Sequence, residues 1–403
     1  MTKQIVPLLS LLLICACGST QDNYKEITLP DLMRKKQHGG KDMVIVDVRS
    51  NGEYYDSASR FRQSNIGRIK DAIHIELREL QQNPEALKKL EPYKDKEIYL
   101  ICSHSYRSRA ASNILLKNGF TNVSNVQGGM TEWYRRYDDL TPFREAYLES
   151  SVTYRNLSPN ELFDQLSTNK NILLLGIRNT PRFFYDTATI RFYTYYPLPA
   201  KTVMFDYADS LLVLQEVQKV KDRPVVLFNL VNNGAAELAH WLANKGVKDV
   251  SYLVGGPNLF YETVANRVQP ALTNKYFKKQ TEVEFLTALN YCAKKDKKSV
   301  VLVDLRHDTL FNKVNDGVKH DFKHLKNAEN FFVGKGEGMF EKQFTDKRKE
   351  YTLYSENGIE GLELADALSR KGYKISYLVG GTGRWEWYMN NVELFGCNDM
   401  LIK

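Results

Sequence analysis

A cysteine followed five residues later by arginine and six residues later by serine carries the most chemical content in this chain. Residues 97–108 read EIYLICSHSYRS: an apolar β-type run ends on Cys102 and passes into a short polar loop closed by Arg107 and Ser108. A helix-like stretch, RAASNILLKNGF, follows directly. The spacing predicts a thiol held over a helix N-terminus, where loop N–H groups and the helix dipole favour negative charge. Cysteines in such places titrate at roughly 3.5–7.5 instead of about 8.5, so the sulfur is a nucleophile at neutral pH. The loop between Cys102 and Arg107 is small, and a small ring of N–H donors suits one extra sulfur atom better than a whole oxyanion. The spacing therefore favours sulfur transfer over phosphate chemistry. The competing reading of a single cysteine after a strand is a buried small hydrophobe, and the flanking residues decide between them.

Those flanks resemble the rhodanese (thiosulfate sulfurtransferase) family across nearly all of residues 27–137. VIVDVRSNGEYY at 44–55 matches the family's early strand with Asp-x-Arg and a following acidic residue. IGRIKDAIHIEL at 66–77 is similar to the segment usually written with Gly-His-Ile, with Arg68 standing where His is commoner, and NVSNVQGGMTEW at 122–133 matches the terminal strand, Gly-Gly turn and Trp. The resemblance implies a double displacement. Cys102 thiolate attacks the outer sulfur of thiosulfate or a similar small anionic donor, sulfite leaves, and a thiol or cyanide acceptor then removes the sulfur from the Cys102 persulfide. It implies N–H donors from Ser103, His104, Ser105, Tyr106 and Arg107 around that persulfide. Cys102 and Arg107 are the expected catalytic residues, Ser103, His104, Ser105, Tyr106 and Ser108 the expected loop, and Asp47 and Arg49 its structural support. Glu53 is the expected partner of Arg49. Arg107, with Arg109 beside it, is expected at the loop mouth, drawing in the anionic donor. His104 is a candidate proton shuttle near neutral pH, and Trp133 a packing residue. No cofactor is implied. A Cys-based phosphatase is disfavoured because its related loop is one residue longer.

The chain has 403 residues and Lys plus Arg exceed Asp plus Glu by 56 to 48, giving a net charge of +8. The surplus is scattered in short clusters with no basic stripe interleaved with aromatics, so a solvated surface or weak attraction to anionic headgroups is expected and nucleic-acid binding is not. Residues 1–17, MTKQIVPLLSLLLICAC, begin with Lys3 and run into an apolar core too short to span a bilayer, the pattern of a secretory signal. Ile14-Cys15-Ala16-Cys17-Gly18 resembles the bacterial lipobox, which implies lipidation at Cys17 and a chain anchored by lipid at the cell envelope of a bacterium. Cys102, Cys292 and Cys397 then remain; Cys292 and Cys397 both fall in the last third of the chain and could meet in space, but two buried unpaired thiols are the expectation. The seven histidines are dispersed and the folded region has no Cys-x-x-Cys, so a zinc site has little support.

The elements that position Cys102 recur. NVSNVQGG ends at Gly129, DVSYLVGG at Gly256 and KISYLVGG at Gly381, steps of 127 and 125 residues, which indicate duplicated domains. Each copy has a helix-like start, an apolar strand near an Arg (VIVDVR, ILLLGIR, VVLVDLR), a second apolar run, a long helix, and a short strand before Gly-Gly. Strands alternating with helices predict an α/β fold of three tandem rhodanese-like domains, each a parallel sheet flanked by helices, at 25–140, 153–265 and 281–397. The second apolar run ends at Cys102, Asn229 and Ser355 in turn, and Arg107 is matched by Gly234 and Glu360. The second and third copies thus lack the nucleophile and the cation. Ser355 has no Gly-x-Ser-x-Gly elbow, against a hydrolase. Stretches 138–152 and 266–280 read as linkers. The aromatic stretch at 183–200 reads as a cap over the second copy's unused pocket, with a surface for a protein partner or glycan as the alternative. A binding, scaffolding or redox-sensing role built on degenerate domains is the rival to catalysis.

Overall fold

Runs such as MVIVD and EIYLI are apolar on both faces, and the computed structural model places both at the centre of a parallel sheet covered on each side. The structure describes residues 24–402 apart from 41, 60, 169–170, 179–197, 201, 207–208, 221, 232–233, 269–274, 279–280, 295–299, 313–323, 357, 359, 386–396 and 398–399. The proposed signal with Cys17, and almost all of the aromatic stretch at 183–200, lie outside the described residues.

Three five-stranded parallel sheets share one strand order. The first is built from β1 (Lys25–Thr28), β2 (Met43–Asp47), β3 (Ile73–His74), β4 (Glu97–Ile101) and β5 (Val123–Gln127), in the order β1-β5-β4-β2-β3. In the second, β6 (Arg155–Leu157), β7 (Leu173–Arg178), β8 (Val203–Asp206), β9 (Val225–Val231) and β10 (Val250–Leu253) run β6-β10-β9-β7-β8. In the third, β11 (Glu284–Leu286), β12 (Val300–Asp304), β13 (Glu329–Asn330), β14 (Glu350–Tyr354) and β15 (Lys374–Leu378) run β11-β15-β14-β12-β13.

The strand period of two sorts each strand's side chains between layers. Ile98, Leu100 and Cys102 pack in one apolar cluster with Ala111 and Leu115. Tyr99 and Ile101 pack in another with Val126, Met130 and Trp133. That second cluster runs on into Leu227, Leu238 and Val254 of the second unit, and a further cluster joins Phe260 and Val264 to Leu353 and Leu368 of the third. Polar contacts cross the same seams: Asn156 Nδ2 donates to the Asn65 carbonyl at 2.8 Å, and Arg384 Nε donates to Glu262 at 2.6 Å.

Two expectations are corrected here. The stretch 138–152 is not an irregular linker: Tyr137–Tyr147 is a helix, with Leu140 and Phe143 buried and Tyr147 packed against the same cluster. Pro142 lies inside it and masks the spacing, although an apolar stripe at three- and four-residue steps is what a helix needs. Cys292 and Cys397 are not unpaired thiols but form a disulfide across 105 residues, with Cα atoms 6.0 Å apart. Among the described residues Cys102 is the free cysteine, and no helix is long and apolar enough to cross a membrane.

Candidate active site

The register of the first sheet sets Asp47 beside Ile101, so the carboxyl ends of β2 and β4 open onto one edge, the position where open parallel sheets present ligand-binding loops. Cys102 follows β4 directly. Its loop turns on Ser105, which takes a left-handed conformation (φ 74°) and is the residue before the helix Tyr106–Lys117, here α1. A non-glycine residue rarely adopts that conformation, and the Ser105 hydroxyl secures it by donating to the Val126 carbonyl at 3.0 Å. The Gly-Gly turn after β5 closes the other side. Met130 N–H donates to the Cys102 carbonyl at 2.8 Å and Thr131 N–H to that of Ser103 at 3.2 Å. A Cβ on Gly129 would lie 2.2 Å from the Cys102 carbonyl oxygen, which explains why the turn needs glycine there.

Among the described residues, the main-chain N–H groups of Ser103, His104, Ser105 and Arg107 donate to no oxygen or nitrogen acceptor. They are unmatched donors of the loop and of the start of the helix that follow Cys102. The Ser108 hydroxyl lies 3.4 Å from Cys102 Sγ, 3.0 Å from the Ser105 carbonyl and 2.6 Å from Asn125 Oδ1, with one proton to give among the three. Asn125 Nδ2 in turn donates to Glu26 at 2.7 Å. Cys102 itself is 1% exposed and Tyr106 65% exposed, so the loop covers the sulfur and shows its tyrosine to solvent.

Arg107 lies beside the loop, partly exposed, and its charge is paired with a carboxylate. Its Nη1 and Nη2 donate to the two oxygens of Glu53 at 2.6 and 2.7 Å, and Nη2 also reaches Ser103 Oγ at 3.0 Å. Glu53 is fixed in place by a capping box, with Ser50 N–H and hydroxyl donating to it at 3.1 and 2.8 Å. Burial works to raise the Glu53 pKa, but the hydrogen bonds from Arg107 and Ser103, the Arg107 charge and Ser50 outweigh it and bring it down to about 2. Glu53 is therefore the partner of Arg107 and not of Arg49. Arg49 pairs instead with Asp47: both are fully buried, Nε and Nη2 donate to the carboxylate at 2.8–3.0 Å, and Nη2 also donates to the Gly67 carbonyl at 2.8 Å. This pair ties the end of β2 to the 66–77 segment, a supporting position. Arg109 Nε donates to Glu26 at 3.2 Å.

His104 exposes an edge to solvent, yet loss of hydration, followed by the charges of Arg135 and Arg107, lowers its pKa to about 4. The exposed edge limits how far desolvation alone can act, but all these causes except Glu53 press the same way, towards a neutral imidazole at pH 7. That removes the near-neutral titration a proton shuttle would use. Trp133 is fully buried. Arg68 pairs with Glu149 and lies over the Tyr54 ring.

The other two units fill the equivalent space with their own side chains. In the second, Asn229 Oδ1 accepts the N–H of Ala235 at 2.8 Å, taking a helix-start donor for itself, and Asn229 Nδ2 donates to Tyr252 Oη at 3.2 Å. In the third, Ser355 Oγ accepts Gly358 N–H at 3.1 Å and lies 3.2 Å from Tyr377 Oη. Tyr252 and Tyr377 stand three residues before their Gly-Gly turns, where the first unit has Asn125. Ser108 is likewise matched by Ala235 and Gly361. The smaller Asn125 leaves the room that Ser108 uses to reach the sulfur. Sequence reasoning missed Glu53 as the Arg107 partner and missed Asn125. The signals were present: Ser50-x-x-Glu53 is a capping-box pattern, and aligning the three Gly-Gly turns isolates Asn125. Among the described residues no cluster of three or more His, Cys, Asp or Glu side chains is set to hold a metal.

The family model for the Rhodanese-like domain matches residues 29–136 and 289–386, together half of the chain. A tRNA uridine(34) hydroxylase of Cytophaga hutchinsonii is 32% identical over 92 residues, covering 23% of this chain and 26% of that protein. One from Acinetobacter baumannii (strain AYE) is 30% identical over 109 residues, covering 27% and 30%. The chain thus spans between a quarter and a third of the length of these curated relatives. A solved rhodanese-related protein from Thermoplasma volcanium is 29% identical and covers 28% of this chain and 93% of its own, with a TM-score of 0.22.

Proposed function

Because this chain belongs to the family of rhodanese-like domains, we propose that it moves sulfane sulfur through a persulfide formed on Cys102 of its first unit. The observation that carries the reading is the free thiol at the end of β4, contacted by the Ser108 hydroxyl and followed by a loop whose N–H groups at 103, 104, 105 and 107 have no oxygen or nitrogen acceptor of their own. Such donors stabilise a sulfur anion without needing a bound cation. The second and third units, with Asn229 and Ser355 at the equivalent positions, form no persulfide and act as scaffold. A thiol is the natural acceptor, and cyanide serves in an assay. The sequence pattern at Cys17 supports attachment by lipid at a bacterial cell envelope. The disulfide of Cys292 and Cys397 is of the kind that persists in oxidising compartments.

The test is donor-dependent thiocyanate formation from cyanide, with Cys102→Ala as the control. Turnover that survives in Cys102→Ala defeats the reading. The 1% exposure of Cys102 favours a second reading, an oxidant-sensing or binding protein in which sulfur is received rarely. Intact-mass analysis separates them: a persulfide supports transfer, whereas sulfenic acid after peroxide with no sulfur gain supports sensing.

A further inference from the structure

The segments that follow the three Gly-Gly turns converge on one cavity. In each unit the side chain four residues after the first glycine folds back over it, so that a Cβ on Gly128, Gly255 or Gly380 would lie 2.5 Å from Glu132, Leu259 or Arg384 in turn. One position thus carries a carboxylate, an apolar group and a guanidinium. Leu259 and Arg384 line a cavity of about 470 Å³ to which all three units contribute, the first with Arg135, Arg136, Asp138 and Asp139. The second unit adds Asn160, Glu262 and Arg267. Glu132, 2% exposed, pairs with Arg136 of this wall at 3.3 Å and stands 4.0 Å from Arg135, and among the described residues its Oε1 accepts no hydrogen bond. Contacts across both seams hold the wall together: Arg384 Nε donates to Glu262 at 2.6 Å, and Asn160 Nδ2 to Asp138 at 3.1 Å.

We propose that this cavity is a binding site for a small organic oxyanion, a phosphate monoester or a carboxylate, held by the guanidiniums of Arg135, Arg136, Arg267 and Arg384. The balance of donors and acceptors carries the assignment. Four guanidiniums bring roughly 20 N–H donors to one cavity, whereas each of the carboxylates of Asp138, Asp139 and Glu262 offers a pair of oxygens. Arg135 and Arg136 share a single buried carboxylate, Glu132. Burial raises the Glu132 pKa against the pull of Arg135, Arg136 and Arg384, which makes it a weaker counter-ion for them. An oxyanion in the cavity accepts forked hydrogen bonds from guanidinium edges and offsets the repulsion among positive charges drawn from three units. The volume lies in the range of small-molecule sites and exceeds what a bare inorganic ion fills. Asn160 and Thr263 on the remaining wall suit the hydroxyl groups of an organic body. No described residue of the lining belongs to the Cys102 loop, so this site is distinct from the sulfur chemistry.

The experiment is isothermal titration calorimetry of the full chain with glycerophosphate and with citrate, each set against glycerol at matched sodium chloride. The expected result is one oxyanion bound per chain with a Kd below about 1 mM, and no binding of glycerol. Which of the two probes binds tells a phosphate site from a carboxylate site. Arg136 and Arg267 are partly exposed, so Arg136→Gln and Arg267→Gln should fold, and one or both should weaken the binding by about tenfold or more. Binding of neither oxyanion overturns the site, and this arm needs no variant to fold. A smaller loss in both folded variants puts the anion elsewhere and overturns it too. Glycerol bound as tightly as the oxyanions overturns the charge argument. None of these outcomes bears on whether Cys102 takes up sulfur.

Discussion

The Glu53 and Arg107 pair makes a pH prediction that can be worked through. Glu53 falls from 4.5 to about 2 on folding, with its burial outweighed by Arg107, Ser103 and Ser50. At about 1.4 kcal/mol per pKa unit, that fall is worth about 3 kcal/mol as a ceiling. The sign follows from the lowered folded pKa. The contribution is fully present above pH 4.5, declines as pH falls, and is lost by the time pH passes through about 2. Glu53→Gln should therefore destabilise the first unit by up to about 3 kcal/mol at pH 7, and the gap to wild type should shrink steadily below pH 4.5. The assay is carbon NMR of the Glu53 carboxyl together with urea unfolding of both proteins at pH 7 and pH 3.5. At pH 3.5 the carboxyl should be about 97% ionised, against about 9% for one titrating at its ordinary value. A Glu53 midpoint near 4.5, or equal stabilities of the two proteins at pH 7, refutes the reasoning.

Three further outcomes are expected. Asp47→Asn should cost about 3–5 kcal/mol in urea unfolding, because it leaves the fully buried Arg49 charge unmatched, and Asp47→Leu combined with Arg49→Met should recover most of the loss. Asn125→Tyr, which installs the side chain found at this position in the second and third units, should displace the Ser108 hydroxyl and cut the rate of persulfide formation at least tenfold on a folded protein; an unchanged rate would show that Ser108 is idle. Cys292→Ser should lower the stability of the third unit by about 2–4 kcal/mol under non-reducing conditions, with no difference from wild type once a reductant is present.

The parts of this protein legible in its sequence are those written locally. Apolar runs of strand length alternating with helical stretches signal the α/β fold, and Cys102 at the end of such a run, with Ser108 six residues on, marks the loop. What was not legible depends on distant contacts. Arg107 and Glu53 meet across 54 positions, and nothing near Arg107 announces that its charge is taken. Family resemblance assigns Glu53 to Arg49 as an ion-pair partner, whereas Arg49 folds back onto Asp47 two residues away. Cys292 and Cys397 could be counted but not paired, since pairing requires two remote segments to arrive within bonding distance. In the helix over 137–147, Pro142 obscured a stripe formed by Leu140, Phe143 and Tyr147. The roles of Asn125, Tyr252 and Tyr377 are written only in the comparison of three copies, where one small residue opposite the thiol is replaced twice by a hydroxyl that fills the space.

The account stands or falls on whether Cys102 takes up a sulfur atom. Purified full-length protein is incubated with cysteine hydropersulfide, freed of donor, and weighed by intact-mass spectrometry before and after cyanide. A gain of one sulfur that maps to the peptide carrying Cys102, disappears with cyanide, and is absent in Cys102→Ala is the predicted result. No gain, or a gain that maps elsewhere, contradicts it.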